Sequence, residues 1–201
     1  MIKAIAFDLG GVLFSEGKSS VIDELTRTCW YNPSIVSGIL NSPESIELRK
    51  WRMSDSDFWS WAQKKLPQWY DAQLIKKEWY DCYELDDDIY TLVQWLKWKY
   101  TLLIFSGNIK SRVEYLDNKY KFRHIFDGEV YSYMYHVNKP QKEFIEIMIK
   151  ESGVKPEEIV YIDDRKEFTS AAIPLWVNVI IYSRGKIAQL LKELEKFQIL
   201  V

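Results

Sequence analysis

Short apolar runs recur along the chain, and most are separated by ten or more residues with helical periodicity. The runs cover residues 2–7, 101–105, 159–162 and 177–181. They are too short for helices and nearly continuous in apolar character, as buried parallel strands are. The apolar spacing predicts helices over 87–100, 111–121, 141–152, 169–175 and 186–197, and a strand or extended segment over 129–133. This alternation predicts an α/β fold: a Rossmann-like parallel sheet with helices on both faces.

The segment 14–85 has a different character, because helical spacing dominates and β-branched runs are few. Helices are predicted near 21–28, 33–40, 55–66 and 72–80, and Asn32, Ser42 and Ser54 are suited to be N-caps. We therefore expect a core domain from 1–13 and 86–201, with 14–85 inserted as an all-helical cap domain. Six of the nine Trp residues lie in this insert, and we expect most of them to be core residues.

The overall charge argues against a nucleic-acid partner, because 27 Lys and Arg residues stand against 29 Asp and Glu residues. No apolar stretch approaches the roughly 20 residues of a membrane span, so no membrane partner is expected. The opening apolar run is too short for a signal-peptide core, and two cysteines are too few for a disulfide framework. These features predict a cytoplasmic protein.

Polar clusters follow three of the apolar runs, and each occurs where a strand is predicted to end. The clusters are Asp8-Leu9-Gly10-Gly11, Ser106-Gly107-Asn108 and Asp163-Asp164. Taken singly, they could be a turn, a helix N-cap and a solvated helix start. Because the carboxyl ends of parallel strands form one edge of a sheet, we expect all three clusters to converge there.

Three carboxylates at one edge are suited to bind a hard cation such as Mg²⁺ through oxygen. The Ser106 hydroxyl, nearby backbone N–H groups and the Lys139 ammonium could hold an anion beside that cation. A metal site, an anion pocket and a free carboxylate together favour phosphoryl transfer, with Asp8 as the attacking group.

These residues resemble the four motifs of the haloacid dehalogenase superfamily, in the same order and over almost the whole chain. The matching segments are 5–13 around Asp8, 102–106 ending in Ser106, Asn138-Lys139-Pro140, and 160–164 ending in the paired acids. The insert 14–85 is similar to the helical cap of that family. The resemblance implies that Asp8 is the nucleophile and that Ser106, Gly107, Asn108 and Lys139 contact the phosphoryl group. It also implies that Asp8, the Gly10 carbonyl, Asp163 and Asp164 form the Mg²⁺ site, with Asp163 either a ligand or a support.

The chain departs from the family pattern at two positions. Gly10 stands where the family usually has a second Asp, which protonates the leaving group and then activates water. An Asp-x-Gly subgroup is similar and includes phosphatases of small phosphorylated molecules. Phe168 stands where related sequences often have Asn, which supports the loop after the paired acids.

The leading interpretation is a Mg²⁺-dependent phosphatase that hydrolyses a small phosphorylated molecule through an aspartyl-phosphate at Asp8. Two alternatives stay open: a metal-independent hydrolytic dehalogenase, and an impaired scaffold that binds phosphate or a partner without turnover. The sequence names neither the substrate nor the oligomeric state.

Overall fold

A five-stranded parallel sheet forms the centre of the computed structural model, which describes residues 1–199. Its strands are β1 (Ala4–Phe7), β2 (Thr101–Ser106), β3 (Gly128–Tyr131), β4 (Ile159–Asp163) and β5 (Asn178–Ile181). They are arranged in the order β3-β2-β1-β4-β5, and each neighbouring pair is parallel. The predicted α/β fold with a parallel sheet is confirmed, and the three strands followed by polar clusters, β2, β1 and β4, lie side by side.

The helices of the described chain fall into two groups. Between β1 and β2 lie α1 (Gly17–Cys29), α2 (Pro33–Leu40), α3 (Pro43–Arg49), α4 (Asp55–Lys65), α5 (Ala72–Asp81) and α6 (Asp87–Leu96). After β2 come α7 (Lys110–Tyr120), α8 (Ser132–Tyr135), α9 (Lys142–Ser152), α10 (Lys166–Ala172) and α11 (Ile187–Lys196). No helix among residues 1–199 is both long and apolar enough to cross a bilayer.

The side chains of three predicted N-caps fix where helices begin in the insert. Asn32, Ser42 and Ser54 accept hydrogen bonds from the first-turn N–H groups of α2, α3 and α4, respectively. Ser106 is not a helix cap, because α7 begins only at Lys110.

The predicted boundaries differ from the structure at several elements. β3 ends at Tyr131, where the chain turns into α8, although a strand was expected to reach residue 133. The helix expected over 169–175 begins earlier, as α10, and its end is a separate 3-10 turn, Ile173–Leu175. The helix expected over 87–100 ends at Leu96.

The segment 14–85 is helical as predicted, with α1 to α5 and no strand of the sheet within these described residues. Its two ends run antiparallel beside each other. The Ser15 N–H donates to the Glu84 carbonyl at 2.8 Å, and the Asp86 N–H donates to the Leu13 carbonyl at 2.9 Å. The division into core and cap domains at residues 13 and 86 stays a prediction.

Alternate residues of β1 face different apolar clusters, as expected for a strand with helices on both sides. Ile5 and Phe7 belong to a large cluster that continues into the helical insert, whereas Ala4 and Ala6 belong to a smaller cluster with α9. The expectation that most of the six Trp are core residues is only partly met. Trp59 and Trp79 are buried and Trp61 is partly buried, but Trp30, Trp51 and Trp69 are exposed.

Candidate active site

The structure brings the three predicted carboxylates together at the carboxyl edge of the sheet. Asp8 directly follows β1, and Asp163 and Asp164 lie at the end of the neighbouring strand β4. One carboxylate oxygen from each residue lies within 4.8 Å of the others. This spacing is short enough for the three groups to share one cation.

Lys139 lies beside this cluster, with its side chain only 3% exposed. Its Nζ is 3.1 Å from Asp8 Oδ1 and 2.7 Å from Asp163 Oδ2, and only the second contact has the geometry of a hydrogen bond. The rings of Phe105, Tyr161 and Phe168 surround the ammonium group at 4.7, 5.0 and 5.7 Å. These contacts fix the one positive charge that, among residues 1–199, forms ion pairs with the acid cluster.

Asp163 and Asp164 have different surroundings although they are adjacent. Asp163 is fully buried; its Oδ2 accepts from Lys139 and from the Tyr161 hydroxyl, and its Oδ1 accepts from the Arg165 N–H at 2.9 Å. The Oδ1 atoms of Asp164 and Asp8, by contrast, are buried and accept no hydrogen bond from the described residues. Asp163 therefore holds the loop and Lys139 in place, whereas Asp164 Oδ1 has no partner among the described residues and Asp8 Oδ1 has only its ion pair with Lys139.

Gly11 allows Asp164 to approach the first motif closely. Its φ of 82° lies in the left-handed region, and a Cβ at this position would come within 2.3 Å of the Asp164 carboxylate. Gly10 is different, because a Cβ there would meet only an aromatic carbon of Tyr83, at the ordinary contact distance of 3.7 Å. The position of the missing second Asp therefore has room for a side chain.

The acid cluster carries more negative charge than its surroundings neutralise. Burial raises the pKa of Asp8, and the Asp163 carboxylate adds to this effect while Lys139 opposes it. Burial, together with Asp8 and Asp163, raises the pKa of Asp164 to about 7. Three carboxylates against one ammonium group leave an excess that a divalent cation would offset.

The end of β2 and the loop after it contain the other predicted site residues. Ser106 and Asn108 are buried at the wall of the cavity, and Gly107 is packed so tightly that a Cβ would lie 2.2 Å from Asn138 Oδ1. The Asn108 N–H was expected to be available to a phosphoryl oxygen, but it donates to Ser132 Oγ at 3.0 Å. Ser106, at the end of β2, and Gly107 line the cavity, and Asn108 holds the loop to α8.

A cavity of about 430 Å³ joins these groups, which is within the range of small-molecule sites. It is lined by every predicted site residue except the buried Asp163, and also by Phe168. None of the six Trp of the insert lines it.

Sequence reasoning missed the basic residues of this cavity: Lys18, Arg49, Arg112 and Arg165. For two of these residues, the sequence pattern does indicate burial. Arg49 shares the buried face of α3 with Ser45 and Leu48, and Arg112 shares that of α7 with Val113 and Leu116. A charged residue at core spacing on a helix indicates a buried polar site. The helix that contains Arg112 was predicted, whereas α3, which contains Arg49, was not.

A parallel α/β sheet with an acid cluster, a lysine and a buried serine at the ends of neighbouring strands defines a class of hydrolase fold. The chain belongs to the haloacid dehalogenase-like hydrolases, whose family model matches residues 2–172. An uncharacterized protein of Dictyostelium discoideum is 35% identical over 230 aligned positions, which cover 95% of each chain.

Two solved structures show the same fold. A haloacid dehalogenase family enzyme of Bacteroides thetaiotaomicron, in complex with magnesium and inorganic phosphate, matches with a TM-score of 0.78 and 18% identity. That match covers 92% of this chain and 96% of the enzyme. L-2-haloacid dehalogenase of Xanthobacter autotrophicus, with chloropropionic acid covalently bound, matches with a TM-score of 0.68 and 21% identity over 100% of this chain and 85% of that one.

Proposed function

We propose that this protein is a Mg²⁺-dependent phosphatase that hydrolyses a small phosphorylated molecule through an aspartyl-phosphate at Asp8. The observation that carries the proposal is the under-neutralised acid cluster, in which Asp8 and Asp164 each keep a buried carboxylate oxygen without a hydrogen bond. Without a cation, three carboxylates within 4.8 Å would repel one another at a cost to stability. The Bacteroides enzyme contains magnesium and inorganic phosphate, the two ligands proposed here.

The residues present fit Mg²⁺, since oxygen donors are the ligands it prefers. Asp8, Asp164 and the Gly10 carbonyl would hold the ion, and Asp163 would support them through its bonds to Lys139 and the Arg165 N–H. When bound, Mg²⁺ offsets the negative charge of the phosphoryl group and of the acid cluster.

In the proposed reaction the Asp8 carboxylate attacks phosphorus, and the bond from phosphorus to the ester oxygen breaks. The leaving group departs with the bonding electrons and takes a proton from water, because Gly10 has no acid to supply one. Water then attacks the phosphorus of the aspartyl-phosphate, which releases inorganic phosphate and restores Asp8.

Ser106 and Lys139 would act on the phosphoryl oxygens. The Ser106 hydroxyl donates a hydrogen bond, and the Lys139 ammonium lowers the repulsion between the phosphoryl group and Asp8. The contact between Lys139 and Asp163 keeps that ammonium within 3.1 Å of Asp8.

Hydrolytic dehalogenation is a second candidate, and the absence of an acid side chain at Gly10 favours it, because a departing halide needs no proton. The Xanthobacter enzyme shares the fold. The paired acids count against this reaction, because a metal-free site would leave Asp164 repelled by Asp8 and Asp163.

The test is hydrolysis of p-nitrophenyl phosphate with Mg²⁺ and with a chelator, and chloride release from 2-chloropropionate in parallel. We expect phosphate release that requires Mg²⁺, and its loss in Asp8→Asn, because an amide is a poor nucleophile and a weaker Mg²⁺ ligand. Asp88→Asn, which removes an exposed charge on α6, is the matched control. Chloride release without metal would establish the second candidate instead, and inactivity on both substrates would favour a binding scaffold.

A further inference from the structure

Two guanidinium groups are buried in the wall of the cavity that contains Asp8. Arg49 comes from α3 and Arg112 from α7, and the residues are 7% and 2% exposed. Arginine at this depth normally has a carboxylate partner. In residues 1–199, neither group lies within 4 Å of any carboxylate oxygen, including those of Asp8 and Asp164.

The hydrogen bonds of these two residues leave donors unused. Arg49 Nη1 donates to the carbonyl and hydroxyl of Ser45, at 3.1 and 2.7 Å. Arg112 Nε donates to Asn108 Oδ1 at 2.9 Å, whereas its Nη1 is buried and has no partner in the described chain. An unsatisfied donor on a buried charged group is costly, which indicates a site built for an anion.

Aromatic rings orient the two groups without neutralising them. The Trp79 ring centroid lies 4.5 Å from the Arg112 guanidinium carbon and 5.6 Å from that of Arg49, and Tyr83 lies 4.7 Å from Arg112. Trp79 is fully buried, so it forms a rigid support.

The nearby charges add to the positive potential. Burial, and then the charges of Arg49 and Arg112, lower the pKa of Lys18 to about 7, and burial with Arg112 lowers that of Arg49 to about 10. Glu16 also lines the cavity, but its carboxylate caps α1 by accepting from the Ser19 N–H and hydroxyl. The cavity therefore has two regions of opposite charge: the acid cluster around Asp8, and a basic region around Arg49 and Arg112.

We infer that Arg49 and Arg112 bind a second anionic group of the substrate, a carboxylate or a second phosphate. The inference rests on the proposed function for the first group, because it takes the transferred phosphoryl to lie at Asp8. The substrate class is then a phosphorylated acid or a bisphosphate, and a neutral phosphorylated alcohol would leave the Arg112 donor unpaired.

The test measures binding to the natural protein with Mg²⁺, so that it does not depend on turnover. Titration calorimetry compares three series of non-hydrolysable phosphonates with chains of about two to six carbons: alkylphosphonates, ω-carboxyalkylphosphonates and alkane-α,ω-bisphosphonates. Within each chain length, the probes differ in the second anion. The chain-length series finds the span between the two anion sites, and the last two series distinguish carboxylate from phosphate.

We expect at least one two-anion probe to bind about 10- to 100-fold more tightly than the alkylphosphonate of the same length. Arg49→Gln and Arg112→Gln should remove that preference, and Arg49→Lys should retain part of it. Arg27→Gln, which removes an exposed charge from α1 away from the cavity, should keep the full preference. If Arg112→Gln fails to fold because Asn108 loses its partner, the comparison of Arg49→Gln with Arg49→Lys tests the inference on its own.

Equal affinities of the three series at every chain length would overturn the inference, and so would a preference that survives in Arg49→Gln. Either result is compatible with Mg²⁺-dependent hydrolysis of p-nitrophenyl phosphate, which would leave the proposed function standing. Conversely, a preference removed by Arg49→Gln in a protein inactive on that ester would support the subsite and refute the phosphatase proposal.

Discussion

Replacing Asp164 with Asn should make the metal-free protein more stable at neutral pH. The Asp164 carboxylate lies close to Gly11, and its charge is destabilised first by burial and then by repulsion from Asp8 and Asp163. Asn is nearly isosteric, and its amide can donate a hydrogen bond to the Asp8 carboxylate instead of repelling it. The substitution therefore removes the cost of burying this charge, together with the repulsion, without leaving a cavity.

The pKa of Asp164 gives the magnitude. Its rise from 3.8 to about 7 corresponds to about 4 kcal/mol if the full shift is counted. The side chain is only partly buried, so solvent reduces this value, and we expect about 1–2 kcal/mol in the free energy of unfolding. Because the folded-state pKa is raised, the folded protein holds the proton more tightly, and the cost of ionisation grows from pH 4 to pH 7.

The assay is urea unfolding in the presence of a chelator at pH 5, 6, 7 and 8, on the natural protein, Asp164→Asn and the control Asp88→Asn. The gain of Asp164→Asn over the natural protein should be smallest at pH 5, where about a third of the full effect is expected, and largest above pH 7. Adding Mg²⁺ should stabilise the natural protein much more than the variant, because the ligand binds only the folded state. A variant less stable than the natural protein without metal, by the same amount at every pH, would refute the reasoning.

Two glycine substitutions test other parts of the site. Gly10→Asp should fold, because the nearest atom to its Cβ would be 3.7 Å away. The substitution should raise kcat/KM by about 10²-fold for substrates with poor leaving groups but little for those with good ones. If the variant and the natural protein show the same dependence of kcat/KM on leaving-group pKa across a series of aryl phosphates, this expectation is wrong. Gly107→Ala should displace Asn138, whose Oδ1 accepts from the Lys139 N–H, and so lower turnover by about 10²-fold. Gly38→Ala, where a Cβ meets no atom within 4 Å, should leave turnover unchanged, so similar losses in both alanine variants would show that the Asn138 contact is not the cause.

The acid cluster could be predicted because its parts are local in sequence. Asp8 and Asp164 each follow an apolar run, and the rule that parallel strands end at one edge brings them together without knowledge of distant contacts. Ser132 could not be predicted in this way. It directly follows β3 and begins α8, and its hydroxyl joins Asn108 to the Arg49 carbonyl, contacts that span 24 and 83 residues.

The Trp residues show the limit of composition. Trp59 lies at helical spacing from Ala62 on the buried face of α4, so periodicity alone predicts its burial. Trp30 ends α1 with a positive φ and is exposed, which the number of Trp residues gives no way to foresee. The basic region was missed because Arg49 and Arg112 belong to helices on opposite sides of β2 in the chain and meet only in the folded protein.

The hydrogen-bonded junction at Ser15 and Glu84 has a consequence for how the sequence of such a chain can change in evolution. Hydrogen bonds at this junction fix the distance between the points where the chain leaves the sheet and returns to it, whatever lies between them. Because the entropy of closing a loop grows only slowly with its length, residues can be gained, lost or exchanged beyond the junction at little cost to chain closure. The register of β1 and β2 is then unaffected by changes of sequence in the helices that contain Lys18 and Arg49. A new preference for the far end of a substrate can arise there while the reacting groups on the sheet stay where they are.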